Sequence, residues 1–102
     1  MATYIMLGNF TEQGIRNAKD APERAKAFKA SAEKLGIAVR GSYAVQGQYD
    51  VVQIVEAPDE LAVTALVLSI SSFGHLRWQS LRAFTAAEWA TILQKVPANI
   101  PS

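Results

Sequence analysis

The stretch VQGQYDVVQIVEAPDE, Val45 to Glu60, holds a turn, a strand and the start of a helix in one continuous run. Gly47-Gln48 punctuates an alternating segment and reads as the turn of an antiparallel hairpin. Tyr49 to Glu56 follows as a strand. Its centre, VVQIV, is apolar on both faces, which a strand tolerates only when both faces are covered. Pro58, Asp59 and Glu60 then open a helix: proline lacks a donor where none is needed, and the two acids favour the positive end of the helix dipole.

Upstream, Thr3-Tyr-Ile-Met-Leu7 is a strand, weakened at Gly8-Asn9 and closed by Phe10. Thr11 caps a short turn, TEQGIRN, in which Gly14 keeps the backbone tight. Asp20-Ala-Pro-Glu23 predicts a capped helix that runs to Leu35, with Gly36 as its left-handed stop. Ala25, Phe28, Ala32 and Leu35 form its apolar stripe, while Arg24, Lys26, Lys29, Glu33 and Lys34 form a solvated face. Ile37 to Gln46 alternates, with Ile37, Val39, Gly41, Tyr43 and Val45 on one face.

Downstream, DELAVTALVLSISSF is apolar nearly all round. Leu61, Ala65, Leu68 and Ser72 line one face and Val63, Leu66, Val67 and Ile70 much of the rest. Such a helix is buried on more than one side, and a single sheet covers only one. Gly74 ends it, and His75 to Phe84 is the fourth strand. Thr85-Ala-Ala-Glu88 is a capping box for a last helix with Trp89, Ile92, Leu93 and Val96 as its stripe. Pro97 stops that helix, so residues 1–96 are read as one domain and 97–102 as a tail.

Strand, helix, strand, strand, helix, strand is the α+β, ferredoxin-like β-α-β-β-α-β order. Right-handed crossovers give an antiparallel sheet of order 4-1-3-2, with both main helices on one face and a short C-terminal helix appended. The other face, expected to carry Val52, Ile54, Tyr4 and Met6, is too apolar to stay wet. Two sheets pairing face to face would bury about 800 Å² on each side, half of it apolar, a gross gain of about 20 kcal/mol before the costs of association. A homodimer or higher homo-oligomer follows as the expectation.

Composition narrows the function classes. A net charge of +1 without runs of like charge argues against nucleic acid and membrane surfaces as partners. The chain has no cysteine, hence no disulfide, thiolate nucleophile or Cys-ligated metal. The start, MATYIMLGNF, lacks the basic region of a signal peptide, and no apolar run is long enough to span a bilayer, so the expected location is cytoplasmic. One histidine and no H-x-x-H pattern give no metal site, and no cofactor is expected.

Few residues offer chemistry. Asp50 beside Tyr49 is either a carboxylate base next to a phenol or an Asx-type clamp on backbone amides at the strand entrance. His75 is the residue suited to acid–base work. With unbroken alternation it shares a strand face with Arg77 and Gln79, a polar lining for an anionic small molecule if that face is enclosed in a dimer. Glu56 and Arg82 fall at part-buried positions, as a structural or inter-subunit ion pair; alternatively Arg82 or Arg77 grips a ligand carboxylate with its planar fork. Trp78 and Tyr4 complete the candidate ligand lining, with packing as the plainer role for Trp78.

The order and spacing of several motifs resemble the GYD family, small bacterial and archaeal proteins. The motifs are G-x-Y-D before an apolar strand and E-A-P-D (residues 47–59), Asn9-Phe-Thr-Glu-Gln-Gly14, Arg24, Leu35-Gly36 and Leu81-Arg-Ala-Phe84. They extend from Tyr4 to Trp89. His75 and Trp78 depart from the family's pattern, which has smaller or more polar residues there. The resemblance implies a dimeric α+β barrel without an established activity. The first functional expectation is therefore a homo-oligomeric small-molecule-binding module. The alternative is a cofactor-independent enzyme, monooxygenase-, isomerase- or dehydratase-like, with His75, Tyr49, Asp50 or Arg77 converging on one substrate. The ligand-binding half of a regulator is a third reading, disfavoured by the lack of a helix-turn-helix.

Overall fold

In a computed structural model, which describes residues 1–98, four antiparallel strands lie in the order β2-β3-β1-β4. This is the expected order read from the opposite edge. The strands are β1 (Ala2–Phe10), β2 (Ala38–Ala44), β3 (Val51–Ala57) and β4 (Leu76–Ala83). The helices are α1 (Glu12–Arg16), α2 (Ala21–Lys34), α3 (Glu60–Ser71) and α4 (Ala86–Gln94), with a 3₁₀ turn at Ala18–Asp20. Among the described residues no helix is long and apolar enough to cross a membrane.

Directly paired residues share a sheet face, so the register assigns every side chain. Tyr4 pairs with Val55 and Met6 with Gln53. These four are buried against Phe28 and Ala32 of α2, Ile37, and Val63 and Leu66 of α3, which make up most of the core. Tyr4 and Met6 thus lie on the helix-covered face, a correction to the expectation above. The open face carries Ile5 opposite Ile54 and Leu81, and Leu7 opposite Val52 and Gln79. The error was one of register: shifting an alternating strand by a single residue exchanges its faces.

β1 runs on to Phe10 because Gly8 does not break it. A Cβ on Gly8 would stand 2.6 Å from Val51 Cγ2 and 3.0 Å from the Trp78 ring, so the glycine admits the close approach of β4's indole. The register shifts between Val39 and Gly41, leaving Arg40 as the extra residue of a bulge. Val39 consequently faces the core opposite Val55, whereas Tyr43 lies on the open face opposite Val52. The alternation predicted from Ile37 to Val45 therefore breaks in its middle. The hairpin is also wider than a two-residue turn. β2 ends at Ala44 and β3 begins at Val51, and the Val45 N–H to Asp50 carbonyl bond of 2.9 Å closes the loop.

Asp20 occupies the N-cap of α2, yet its side chain makes no capping bond; the preceding 3₁₀ turn already delivers the chain into the helix. Gly36, with φ +73°, follows the helix as expected. Asp59 caps α3 by accepting from the Ala62 N–H at 2.9 Å. α3 buries Val63 and Leu66 and leaves Leu61 and Leu68 outside, 80% and 69% exposed. α4 has both halves of its capping box, yet none of its residues is buried. Trp89, Leu93 and Val96 all point to solvent. The radius of gyration, 16.2 Å, exceeds the roughly 13 Å of a compact chain of this length. Of the expected tail, residues 99–102 lie outside the described residues.

Candidate functional site

Asp50 binds backbone. Its Oδ2 accepts from the Phe10 N–H at 2.8 Å, and its own N–H donates to the Gly8 carbonyl at 2.9 Å. The carboxylate ties the end of β1 to the entrance of β3. A turn aspartate that accepts from backbone amides does so because its short side chain reaches them without crossing a turn of chain.

Tyr49, its neighbour, turns to the open face. Its hydroxyl donates to Gln79 Oε1 at 2.9 Å. Arg77 pairs with Asn9 and Gln79 with Leu7 across β1 and β4, so Asn9, Tyr49, Arg77 and Gln79 gather at one corner of the open sheet around a concavity of about 350 Å³. Asn9 Nδ2 is held by the Gln48 carbonyl at 2.9 Å. This corner offers a guanidinium, an amide and a phenol beside the apolar Ile5, Leu7, Val52 and Ile54.

His75 is not part of that corner. β4 begins at Leu76, and the His75 carbonyl accepts from the Thr11 N–H at 3.1 Å. The α1 turn presses on this carbonyl so closely that a Cβ on Gly14 would sit 2.0 Å from it. That contact, rather than a bent turn, accounts for the glycine. The imidazole lines a cleft on the opposite side of the sheet, of about 300 Å³, together with Arg24, Phe28, Ile70, Phe73 and Trp78. The Trp78 and Phe28 rings pack at 5.6 Å. Buried polar atoms without partners cluster here: Arg24 Nε and Nη2, Gln53 Oε1, His75 Nδ1 and Trp78 Nε1.

Arg82 is committed elsewhere. Its guanidinium lies on the Phe84 ring, 4.6 Å from the centroid, and 5.7 Å from that of Tyr4. It donates to the carbonyls of Ala83 and Thr3 and pairs with Glu88 at 3.0 Å. The pair expected between Glu56 and Arg82 is instead two pairs, since the bulge brings Arg40 to Glu56 at 3.3 Å. The Thr85 N–H, then the Arg82 guanidinium, hold the Glu88 carboxyl below its ordinary value of 4.5. Arg82 thus fastens the start of α4 to the sheet, and Tyr4 is a core residue beside it.

The four residues asked to converge for catalysis are divided among three settings. Asp50 is bound to backbone, Tyr49 and Arg77 line the open face, and His75 lines the helix-side cleft. Among the described residues no three of His, Asp and Glu gather as a metal site would require. Arg24 and Gln53 had no place among the candidates. Two signals pointed to them: Arg24 stands one turn before Phe28, at the border of the apolar stripe, and Gln53 is the lone polar residue inside VVQIV.

Comparison with known proteins places the chain. It is 35% identical over 89 residues to a Thermus thermophilus protein described as "glutamine synthetase and cystathionine beta-lyase binding protein", a match covering 86% of this chain and 94% of that one. Among solved structures, the protein TTHA0845, also from Thermus thermophilus, superposes with a TM-score of 0.55 at 26% identity, covering 84% of this chain and 96% of that one. A leucine response regulatory protein from Mycobacterium tuberculosis superposes with a TM-score of 0.54 at 16% identity, covering 83% of this chain and 51% of that one, a likeness of fold. The sequence profile of the GYD domain matches residues 4–93. The chain belongs to the GYD-domain family.

Proposed function

We propose that this protein is a homo-oligomeric binding module that takes up small molecules and partner proteins rather than transforming a substrate. The observation that carries this reading is the open sheet face. Ile5, Leu7, Val52, Ile54 and Leu81 form a contiguous apolar surface there, with no helix of the described residues over it. Contiguous apolar surface of this kind marks an interaction site. A second copy of the same sheet supplies a matching face and turns the corner of Asn9, Tyr49, Arg77 and Gln79 into an enclosed polar lining, a dimeric α+β barrel. α4, standing clear of its own sheet with Trp89 and Leu93 exposed, rests on the second copy in such an assembly.

The Thermus relative is named for binding two enzymes. By extension, the partners of this protein include enzymes of those kinds, docked on the outer surface of the oligomer. The exposed Leu61 and Leu68 of α3 supply apolar contacts for such docking. Sedimentation equilibrium at micromolar concentration tests the assembly, and biolayer interferometry against purified glutamine synthetase and cystathionine β-lyase tests the partners. A dimer or larger oligomer that binds either enzyme is the expected result. A stable monomer would remove the reading at its base.

A further inference from the structure

We propose that the cleft between α2, α3 and the helix-facing side of β4 binds a small monocarboxylate with an apolar or aromatic body, gripped by Arg24. The site lies across the sheet from the pairing face and stands whether or not two copies pair.

The argument begins with the guanidinium. Arg24 Nη1 donates to the Asn17 carbonyl at 2.9 Å, an exposed contact. The remaining edge, Nε and Nη2, is buried without a partner. These two N–H groups run parallel, the pair that a carboxylate takes with both oxygens. The ion pairs among the described residues join Lys26 to Glu23, Arg40 to Glu56 and Arg82 to Glu88, so among the described residues no carboxylate pairs with Arg24. Buried N–H donors without partners are costly until an acceptor meets them.

The space beside Arg24 has two parts. An inner recess of about 50 Å³ is bordered by Arg24, Gln53 and Trp78. It has room for a group somewhat larger than one water, whose share of liquid volume is about 30 Å³. Gln53 and Trp78 each bring an unpaired polar atom, the amide oxygen and the indole Nε1. The indole can only donate, and half a turn of the amide offers donors as well. An outer cavity of about 300 Å³ shares Arg24, Phe28, Leu76 and Trp78 as walls, so the two spaces adjoin. The outer one is at the small end of the roughly 300–1,000 Å³ range of ligand pockets. Its surface is apolar through Phe28, Ile70 and Phe73.

The same cavity selects against other anions. Asp20 and Glu23 are among its lining residues and repel a second negative group. Phosphates and dicarboxylates are therefore disfavoured, and one carboxylate on an apolar body remains. Arg24 Nε and Nη2 are covered at the recess wall, so the ligand enters by shifting the Arg24 side chain toward the outer cavity.

The test uses phenylacetate as probe on a Trp89→Phe background, which leaves Trp78 as the only indole. Saturable change of Trp78 fluorescence, checked by calorimetry, is expected. Phenylacetamide, of the same shape without charge, and phenylmalonate, with a second carboxylate, bind at least about tenfold more weakly. Arg24→Lys replaces the fork by a point charge and also weakens phenylacetate by at least about tenfold. Ala27→Phe, on the exposed surface of α2 at the cavity rim, blocks binding while circular dichroism and the melting temperature hold. No saturable binding of phenylacetate up to about 10 mM, equal affinity for the amide, or indifference to both variants overturns the proposal. Binding is read per chain, so it is separable from the oligomeric state.

Discussion

Replacing Asp50 by alanine distinguishes a clamp from a reactive carboxylate. Oδ2 accepts from the Phe10 N–H at 2.8 Å in a part-buried setting. A hydrogen bond with one ionised partner contributes about 1.5–3 kcal/mol, and its loss leaves the Phe10 amide unpaired. Asn keeps a neutral acceptor of about half the strength, so Asp50→Asn removes about 1 kcal/mol. In a domain this size each kcal/mol lowers Tm by about 4–8 °C, which puts Asp50→Asn near 4–8 °C and Asp50→Ala near 6–24 °C. The backbone bonds from Asp50 N to Gly8 O and from Val45 N to Asp50 O remain, so the hairpin itself survives. The assay is thermal melting by circular dichroism at neutral pH, with hydrogen exchange at the Phe10 amide as a local check. That amide exchanges faster in both variants while those of β2 change little. If Asp50→Ala melts within about 2 °C of the parent, the clamp contributes no stability and the reasoning is refuted. Unchanged melting together with lost ligand binding would return Asp50 to the role of a functional carboxylate.

Three further outcomes follow from the same geometry. Gly14→Ala drives a Cβ to 2.0 Å from the His75 carbonyl, which is backbone and cannot swing away; a loss of about 1–3 kcal/mol in melting experiments is expected, with parent-like stability counting against the contact. Ile54→Asp removes a central apolar contact of the open face twice in a symmetric pair, at about 1.5–3 kcal/mol per copy. The constant of the proposed dimer, measured by sedimentation, is therefore expected to weaken by about three orders of magnitude, and an unchanged constant counts against the paired face. The Glu88 carboxyl titrates below its ordinary 4.5 in the folded chain, so its contribution is present above that value and is lost as pH falls through the lower folded one. Glu88→Gln should thus melt below the parent near neutrality and converge with it in acid, once the pH has fallen below the lowered folded value; a gap that persists there would deny the role to the charge.

The strand order was legible because strand and helix periods differ, and the capping box at Thr85 and the left-handed Gly36 mark element ends locally, whereas Pro58, expected to open the helix, lies before the Asp59 cap. What was not legible arises between elements. Gly8 looks like a strand breaker alone and is required only because Trp78 packs over it. Arg40 looks like one more alternating residue and is a bulge only because β3 pairs on both sides of it. Arg24 belongs to a lysine-rich face by sequence, yet its long side chain reaches back over the helix to the cleft.

His75 shows how one residue of alternation redirects a functional reading. Unbroken alternation back to His75 places the imidazole on the face of Arg77 and Gln79, as part of a polar lining for an anionic small molecule. The Thr11 N–H takes the His75 carbonyl before the ladder starts, at Leu76, and the side chain is released to the other side of the sheet. The separation has a consequence for function. The open face, proposed above for pairing, carries the polar corner at its edge, while the unpartnered donors of Arg24 and Trp78 lie behind a full layer of β-sheet. A ligand held there touches β4 and the end of α3, the elements that also carry Leu81 and the outward leucines. If the open face pairs as proposed, a ligand in the cleft would reach the elements that carry the partner-facing surfaces without entering the interface.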